Sequence, residues 1–457
     1  MATIDKSPLD ARATELTENI STENQPIDFV LSAFSADAVT ADRMVAVNFV
    51  EQLPNHATQY IPPGQIVFVK ELGVPVVSGN CRWVGLDGRV LDYTELYELW
   101  TWGENSNGQL GIDSTVDMSS PVRVSGGFVT WSQVNSGFNH IAAIKTDGTL
   151  WTWGCNNCGQ LGDYTTVSRS SPGTTAGGGT NWCQVSAGSL HTAATKTDGT
   201  LWTWGLNTDG ILGSGDIINR SSPGTTAGGG IDWCQVSSGC RHTAAIKTDG
   251  TLWTWGDAAN GRLGDGTNSD RSSPGTTAGG GTDWCQVNAG TASTAAVKTD
   301  GTLWTWGNNT SGRLGDGTTV DKTSPVTTAG GGTDWCNVST GYASPVAIKT
   351  DGTIWTWGRN LCGSLGDNSI LDRSSPGTTA GGGTTWCQVS SGCPHLAALK
   401  TDGTLWTWGR NLSGTLGDNS AIDRSSPGTT VGGITTWLQV SAGQCHVAAI
   451  AIGASFR

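Results

Sequence analysis

Along most of the chain, hydrophobic and polar positions alternate in short runs rather than at helical spacing. In TLWTWG, as at Thr251 to Gly256, both Trp fall on one face and the intervening Thr on the other. That period of two belongs to a strand with unlike faces. HTAAIK (His242 to Lys247) and WCQV (Trp182 to Val185) are further strand-like runs. Between them lie turn signals. KTDGT carries Asp249-Gly250, which supplies the positive φ of a tight hairpin. RSSPGTTA is expected at a sheet edge, because its Pro removes a ladder donor. Glycine runs such as Gly177 to Gly179 then carry the chain to the next unit. One unit therefore predicts four short strands.

The unit recurs without insertion or deletion. WTWG begins at Trp100, Trp151, Trp202, Trp253, Trp304, Trp355 and Trp406, always 51 residues apart. A second Trp series, starting at Trp131 and ending at Trp437, keeps the same step, and Trp83 alone falls outside both. This period with strand-like units indicates a propeller or solenoid. The ends decide between them. The first WTWG follows LDYTELYEL, with no AAIKTDG ahead of it, and the final unit stops at HVAAIAIGASFR, with no WTWG after it. Val440 to Ile450 is thus expected to pair with the strand holding Trp100 and Trp102, closing the ring in one composite blade and removing two exposed edges. The expected fold is all-β: a closed seven-bladed β-propeller over residues 93–457, preceded by a small β-rich module over residues 1–92.

Composition narrows the function. Gly is 67 of 457 residues and charged residues are 14%, too much Gly for a helical protein and too little charge for a coiled coil or disordered tail. A net charge of −13 argues against nucleic acid as a partner. No continuous apolar stretch is long enough for a membrane span, so membrane insertion is not expected. MATIDKSPLDARATELTENI lacks the apolar core of a signal peptide.

Chemistry finds no centre. Cys183, Cys234, Cys285, Cys336 and Cys387 each follow a Trp. Equivalent positions around a ring lie too far apart for disulfides, so they read as small buried hydrophobes of a protein folded in a reducing cytosol. His140, His191, His242, His395 and His446 share one repeat slot that Ser293 and Ser344 fill elsewhere. A slot occupied by His or Ser reads as a hydrogen-bonding strap between strands. The Asp of TDG is turn chemistry. Cys155 and Cys158 form a lone CxxC with no second pair, whether bonded to each other or not, so no metal is expected. The GGGT runs precede no helix, as a phosphate loop would. No enzyme and no cofactor are expected.

The pattern V-x-x-G-x-x-H-x-A-A-I-K-x-D-G-x-L-W-x-W-G-x-N-x-x-G-x-L-G resembles the regulator of chromosome condensation repeat, over residues 95–457. The resemblance implies the propeller, and it leaves function open because the fold carries many activities. Exchange-factor members use a wedge inserted in the ring, for which the uninterrupted period leaves no room. Nucleosome-binding members use basic loops, which this acidic chain does not concentrate. Photoreceptor members carry a GWRHT motif; its counterpart is GCRHT, Gly239 to Thr243, with Cys240 replacing the Trp. Other members bind proteins through rim loops without chemistry.

Departures from the repeat mark a candidate surface. KTDGT and TTAGGGT hardly change between copies, whereas the loop before the His slot and the loop after WTWG diverge. In an up-and-down blade those two loops share one face. The candidate partner-binding residues there are Phe138, Asn139, Leu190, Arg241, Tyr342, Arg359 and Arg410.

The N-terminal module reads differently. Residues 1–99 hold fourteen acidic and six basic residues, and residues 1–25 suit an extended arm. Strand-like runs follow at Ile27 to Phe34, Met44 to Val50, Ile66 to Lys70 and Val74 to Val77, then a hairpin around Leu86-Asp87-Gly88. PPGQIVFVKELGVPVVSGNCRWVGLDGRVL resembles segments of tailed-bacteriophage appendage proteins. That resemblance implies a non-enzymatic virion protein of tail, neck or capsid, made in the host cytoplasm. It would dock to other virion proteins through residues 1–92 and display the propeller to a host surface or protein ligand. The alternative is a cytoplasmic bacterial scaffold for protein–protein interaction.

Overall fold

Each 51-residue unit folds as a four-stranded antiparallel meander, and the three- and four-residue turns between its first three strands allow only antiparallel neighbours. The computed structural model describes residues 96–126 and 130–453, and N-terminal to them five short strands. In one blade the strands, here a to d from the centre outward, are Trp233–Ser238, His242–Lys247, Leu252–Gly256 and Arg271–Thr276. Seven such sheets follow one another, and we number them by the Trp opening strand a: Trp131, Trp182, Trp233, Trp284, Trp335, Trp386 and Trp437.

Closure occurs as the split final unit requires. Blade 7 joins Trp437–Ala442 and His446–Gly453 to Leu96–Gly103 and Met118–Arg123. Val447 faces Trp102 and Ala449 faces Trp100 in the antiparallel register. The latch therefore shares the register of the covalently continuous blades, in which Thr243 faces Trp255 and Ala245 faces Trp253.

Between blades, the second Trp of every WTWG is fully buried, at 0% exposure in all seven. In six of the seven its indole remains bonded across the interface, and Trp255 Nε1 alone finds no partner among the described residues. Trp153 Nε1 donates to Gln109 O at 3.0 Å and Trp204 Nε1 to Gln160 O at 2.9 Å, each in the c–d loop of the preceding blade. That loop must run against the ring. Gly162 does so with φ +69, and a Cβ there would lie 2.6 Å from Trp204 Nε1, so Gly is obligatory.

Two sheet edges per blade need partners, and the neighbours supply them. At the channel, side chains stand in for a missing strand. Ser136, Ala187, Ser238, Ala289, Thr340, Ser391 and Ala442 each donate their N–H to a Ser or Asn side chain one blade back, at 2.7–3.0 Å. At the rim, a c–d loop N–H donates to strand d of the next blade, as Asp113 to Ser170 O at 2.9 Å and Asn419 to Ser119 O at 2.8 Å. The Pro-containing outer strand is thus an edge covered by its neighbour.

Two details differ from expectation. Cys183, Cys234, Cys285, Cys336 and Cys387 are exposed, not buried. The a–b register shifts across each of them, between Trp182 and Gln184 for example, and this bulge turns the thiol outward. Strand b of blade 5 shortens to Val346–Lys349, because Pro345 has no N–H to continue it.

The propeller unit spans Leu96–Gly453. Before it, Met44–Val47 pairs in parallel with Ile66–Val69, and Val74–Gly79, Arg82–Gly85 and Val90–Leu91 extend that sheet antiparallel. The last two strands flank the expected hairpin at Leu86-Asp87-Gly88. The arm over residues 1–25 and the run Ile27 to Phe34 lie outside the described residues. Among the described residues no helix is long and apolar enough to cross a membrane.

Candidate recognition face and channel mouth

The divergent loops meet on one face. In all seven blades the residue after WTWG donates its N–H to a carbonyl in the a–b loop: Cys155 to Asn139, Leu206 to Leu190, Asp257 to Arg241, Arg359 to Ala343 and Arg410 to Pro394 among them, at 2.7–3.1 Å. Backbone bonds from five of the blades to the next then help to fix the mouth. Phe138, Ser189, Cys240, Thr291 and Tyr342 each donate to the Gly carbonyl of the next blade, at 3.0–3.2 Å. Approach is so close that a Cβ on Gly239 would lie 2.5 Å from Gly290 O. This face is a set of variable side chains on a rigid frame.

Just beneath the mouth sits the His slot, and it straps blades together. His140, His191 and His242 place Nε2 2.8–3.0 Å from Thr192, Thr243 and Thr294 Oγ1, each one blade on. His395 and His446 meet Val447 and Ile141 at that position and have no such bond. All five rings are buried. Desolvation lowers His140 and His395 to about 4 and His191 and His446 to about 3, and carries His242 well below its ordinary value. They are neutral at physiological pH, as structural groups.

The opposite face is committed to its own core. Lys247 Nζ lies 4.9 Å from the ring centroids of both Trp233 and Trp253, and the Lys of KTDGT repeats this arrangement in five other blades. Asp249 accepts from Thr251 N and Oγ1 at 2.9 and 2.6 Å. The constancy of this turn has a structural cause.

Charge divides the divergent face. Arg241 is half exposed but neutralised, with Asp209 at 2.7 Å and Asp257 at 3.6 Å, and Arg262 shares Asp257 at 3.4 Å. On blades 4 to 6, Arg313, Arg359 and Arg410 make no ion pair with any described residue. Nearby carboxylates are occupied: Asp321 by Asn309 N and Asn260 Nδ2, Asp423 by Asn411 N. Arg313 is held in place by the carbonyls of Thr310 and Tyr342, at 3.2 and 3.3 Å.

The seven sequence candidates thus separate. Tyr342 is exposed and lines the mouth, as does half-buried Phe138. Arg359 and Arg410 stand on the two blades that follow that of Arg313. Asn139 and Leu190 are half-buried and serve mainly through their carbonyls. Arg241 is engaged within the chain. Arg313 was missed because it lies in a third variable slot, the residue before Leu-Gly, filled in turn by Gln109, Gln160, Ile211, Arg262, Arg313, Ser364 and Thr415. Cys155, Cys158, Cys240, Cys362, Cys393 and Cys445 also lie in these loops, all as free thiols. Burial raises Cys393 to about 11 and Cys445 to about 12, which keeps them protonated. No group of side chains suited to a metal occurs among the described residues.

A seven-bladed ring with one variable face is the scaffold of a binding or regulatory propeller. The RCC1-like domain model matches residues 90–341, and the regulator of chromosome condensation (RCC1) repeat matches residues 402–450. The chain belongs to the RCC1-like propeller family. It is 32% identical over 335 residues to the ultraviolet-B receptor UVR8 of Arabidopsis thaliana, covering 72% of this chain and 76% of that protein. It is 29% identical over 341 residues to the human E3 ubiquitin-protein ligase HERC2, covering 71% of this chain and 7% of that protein. Among solved structures, Prp20p from Saccharomyces cerevisiae, described with its binding properties to Gsp1p and histones, superposes with a TM-score of 0.70 at 19% identity, covering 79% of this chain and 93% of that one. Human WBSCR16 superposes with a TM-score of 0.68 at 20% identity, covering 78% and 98%. These likenesses agree with the ring itself.

Proposed function

We propose that the propeller is a recognition head that binds a protein or host-surface ligand through its divergent face, without catalysis. The observation carrying this reading is the division between faces. One repeats a Lys–Trp–Asp arrangement that consumes its own polar groups, while the other presents Tyr342 beside Arg313, Arg359 and Arg410, guanidinium groups with no carboxylate of their own. Arg and Tyr are enriched at binding hot spots, and loops on a rigid scaffold are where partners are read. Protein binding named for Prp20p gives the reading a precedent on the same fold.

In this reading residues 1–92 are the anchor and the ring is the displayed part. The likeness of PPGQIVFVKELGVPVVSGNCRWVGLDGRVL to phage appendage segments favours a virion as the assembly. Replacing Tyr342, Arg359 and Arg410 together by Ala abolishes ligand binding while particle incorporation persists; deleting residues 1–92 does the reverse. Normal incorporation of the truncated chain would remove the anchor and favour a cytoplasmic scaffold.

A further inference from the structure

The central channel holds a cavity of about 220 Å3 whose lining includes no Asp, Glu, Lys or Arg. Its polar side chains are nevertheless oriented. Gln133, Gln184 and Gln235 each accept a backbone N–H from the next blade, at Val185, Val236 and Val287, all at 2.9 Å. Asn135 and Asn288 accept from Ala187 and Thr340 at 2.7 and 2.8 Å. A backbone N–H can only donate, so the amide atom facing it must be oxygen. Each carboxamide therefore turns its NH2 away from that bond, and none of these five nitrogens has an acceptor among the described residues. The lattice that seals the inner strand edges leaves donors behind as its by-product.

We propose that the channel, whose mouth shares a face with Arg313, Arg359 and Arg410, is a binding site for a small oxyanion: a free phosphate or dicarboxylate, or a carboxylate presented by an acidic peptide. Fixed carboxamide donors need no reorganisation to surround such a group, and hydrogen bonds to a charged acceptor are stronger than those to water. The three guanidinium groups raise the local anion concentration at the entrance. Arg313 donates to the carbonyl of Tyr342, which lines the cavity, so this guanidinium stands next to the chamber's mouth. This site stands whether or not the outer loops bind a protein.

Gln235→Glu is the discriminating variant. It keeps the oxygen that accepts from Val287 N and replaces the NH2 donor by a charged acceptor. Isothermal titration of the full chain with inorganic phosphate, glutarate and tetraglutamate, in a buffer free of other oxyanions, reads the site. Saturable binding of at least one probe is expected, weakened at least tenfold in Gln235→Glu at an unchanged melting temperature. Binding of tetraglutamate alone assigns the site to a peptide carboxylate; binding of phosphate or glutarate assigns it to a free anion. Should Gln235→Glu fail to fold, Arg359→Gln with Arg410→Gln leaves the channel intact and is expected to weaken binding at least threefold. No binding by any probe, or equal affinity in folded variants, overturns the proposal.

Discussion

The indole Nε1 of Trp102 donates to the carbonyl of Thr415 at 2.9 Å, although 313 residues separate them in sequence. The same bond joins Trp153 to Gln109 and Trp204 to Gln160 across only 44 residues. The closing interface thus carries the same Trp bond as five of the other six interfaces, and only the one at Trp255 lacks it.

Closure makes the C-terminal strands a latch. Deleting residues 440–457 removes the pairing of His446–Gly453 with Leu96–Gly103 and exposes an apolar edge. The melting temperature is expected to fall by well over the roughly 4–8 °C that a single contact of about 1 kcal/mol shifts in a small domain. An unchanged melt would refute the latch.

Acid weakens the fold through the five slot histidines. Their folded pKa values lie below the unfolded value, so unfolding takes up protons wherever the pH is below about 6.5. Above that pH the rings are neutral in both states and contribute no pH dependence. As pH falls towards their folded values, stability declines, by roughly 1 kcal/mol per ring at pH 5.5. Urea unfolding at pH 7.5 and 5.5 should show a drop that largely disappears when the five are replaced together by Ser, the residue that blades 4 and 5 already use.

His242 and Thr294 are expected to couple. His242→Ala leaves Thr294 Oγ1 without its strap and costs roughly 1–3 kcal/mol. The loss should shrink when Thr294 is already Val, which a double-mutant cycle in urea measures. Loss of ligand binding in folded His242→Ala would give the slot a functional role instead.

The seven blades, their strands and their composite closure were legible because an uninterrupted 51-residue step writes the same turns seven times. The shared face of the divergent loops followed from strand alternation alone. What the sequence concealed depends on contacts between blades. Arg241 and Arg410 look alike as loop residues, yet Asp209 neutralises the first from another blade. Gln133 and Ser237 look like ordinary strand polar positions, and only the packed ring shows that they complete a neighbour's edge. The thiol of Cys183 faces solvent because of a bulge that simple alternation does not reveal.

The reading of the divergent face as the recognition surface is tested most directly by site-specific photocrosslinking in the native assembly. A benzoylphenylalanine at Tyr342 probes the divergent mouth, and one at Asp249 probes the repetitive turn on the opposite face. The account predicts a discrete adduct from position 342 and none from position 249. An adduct from position 249 alone would contradict it and place the ligand on the face whose polar groups are already spent.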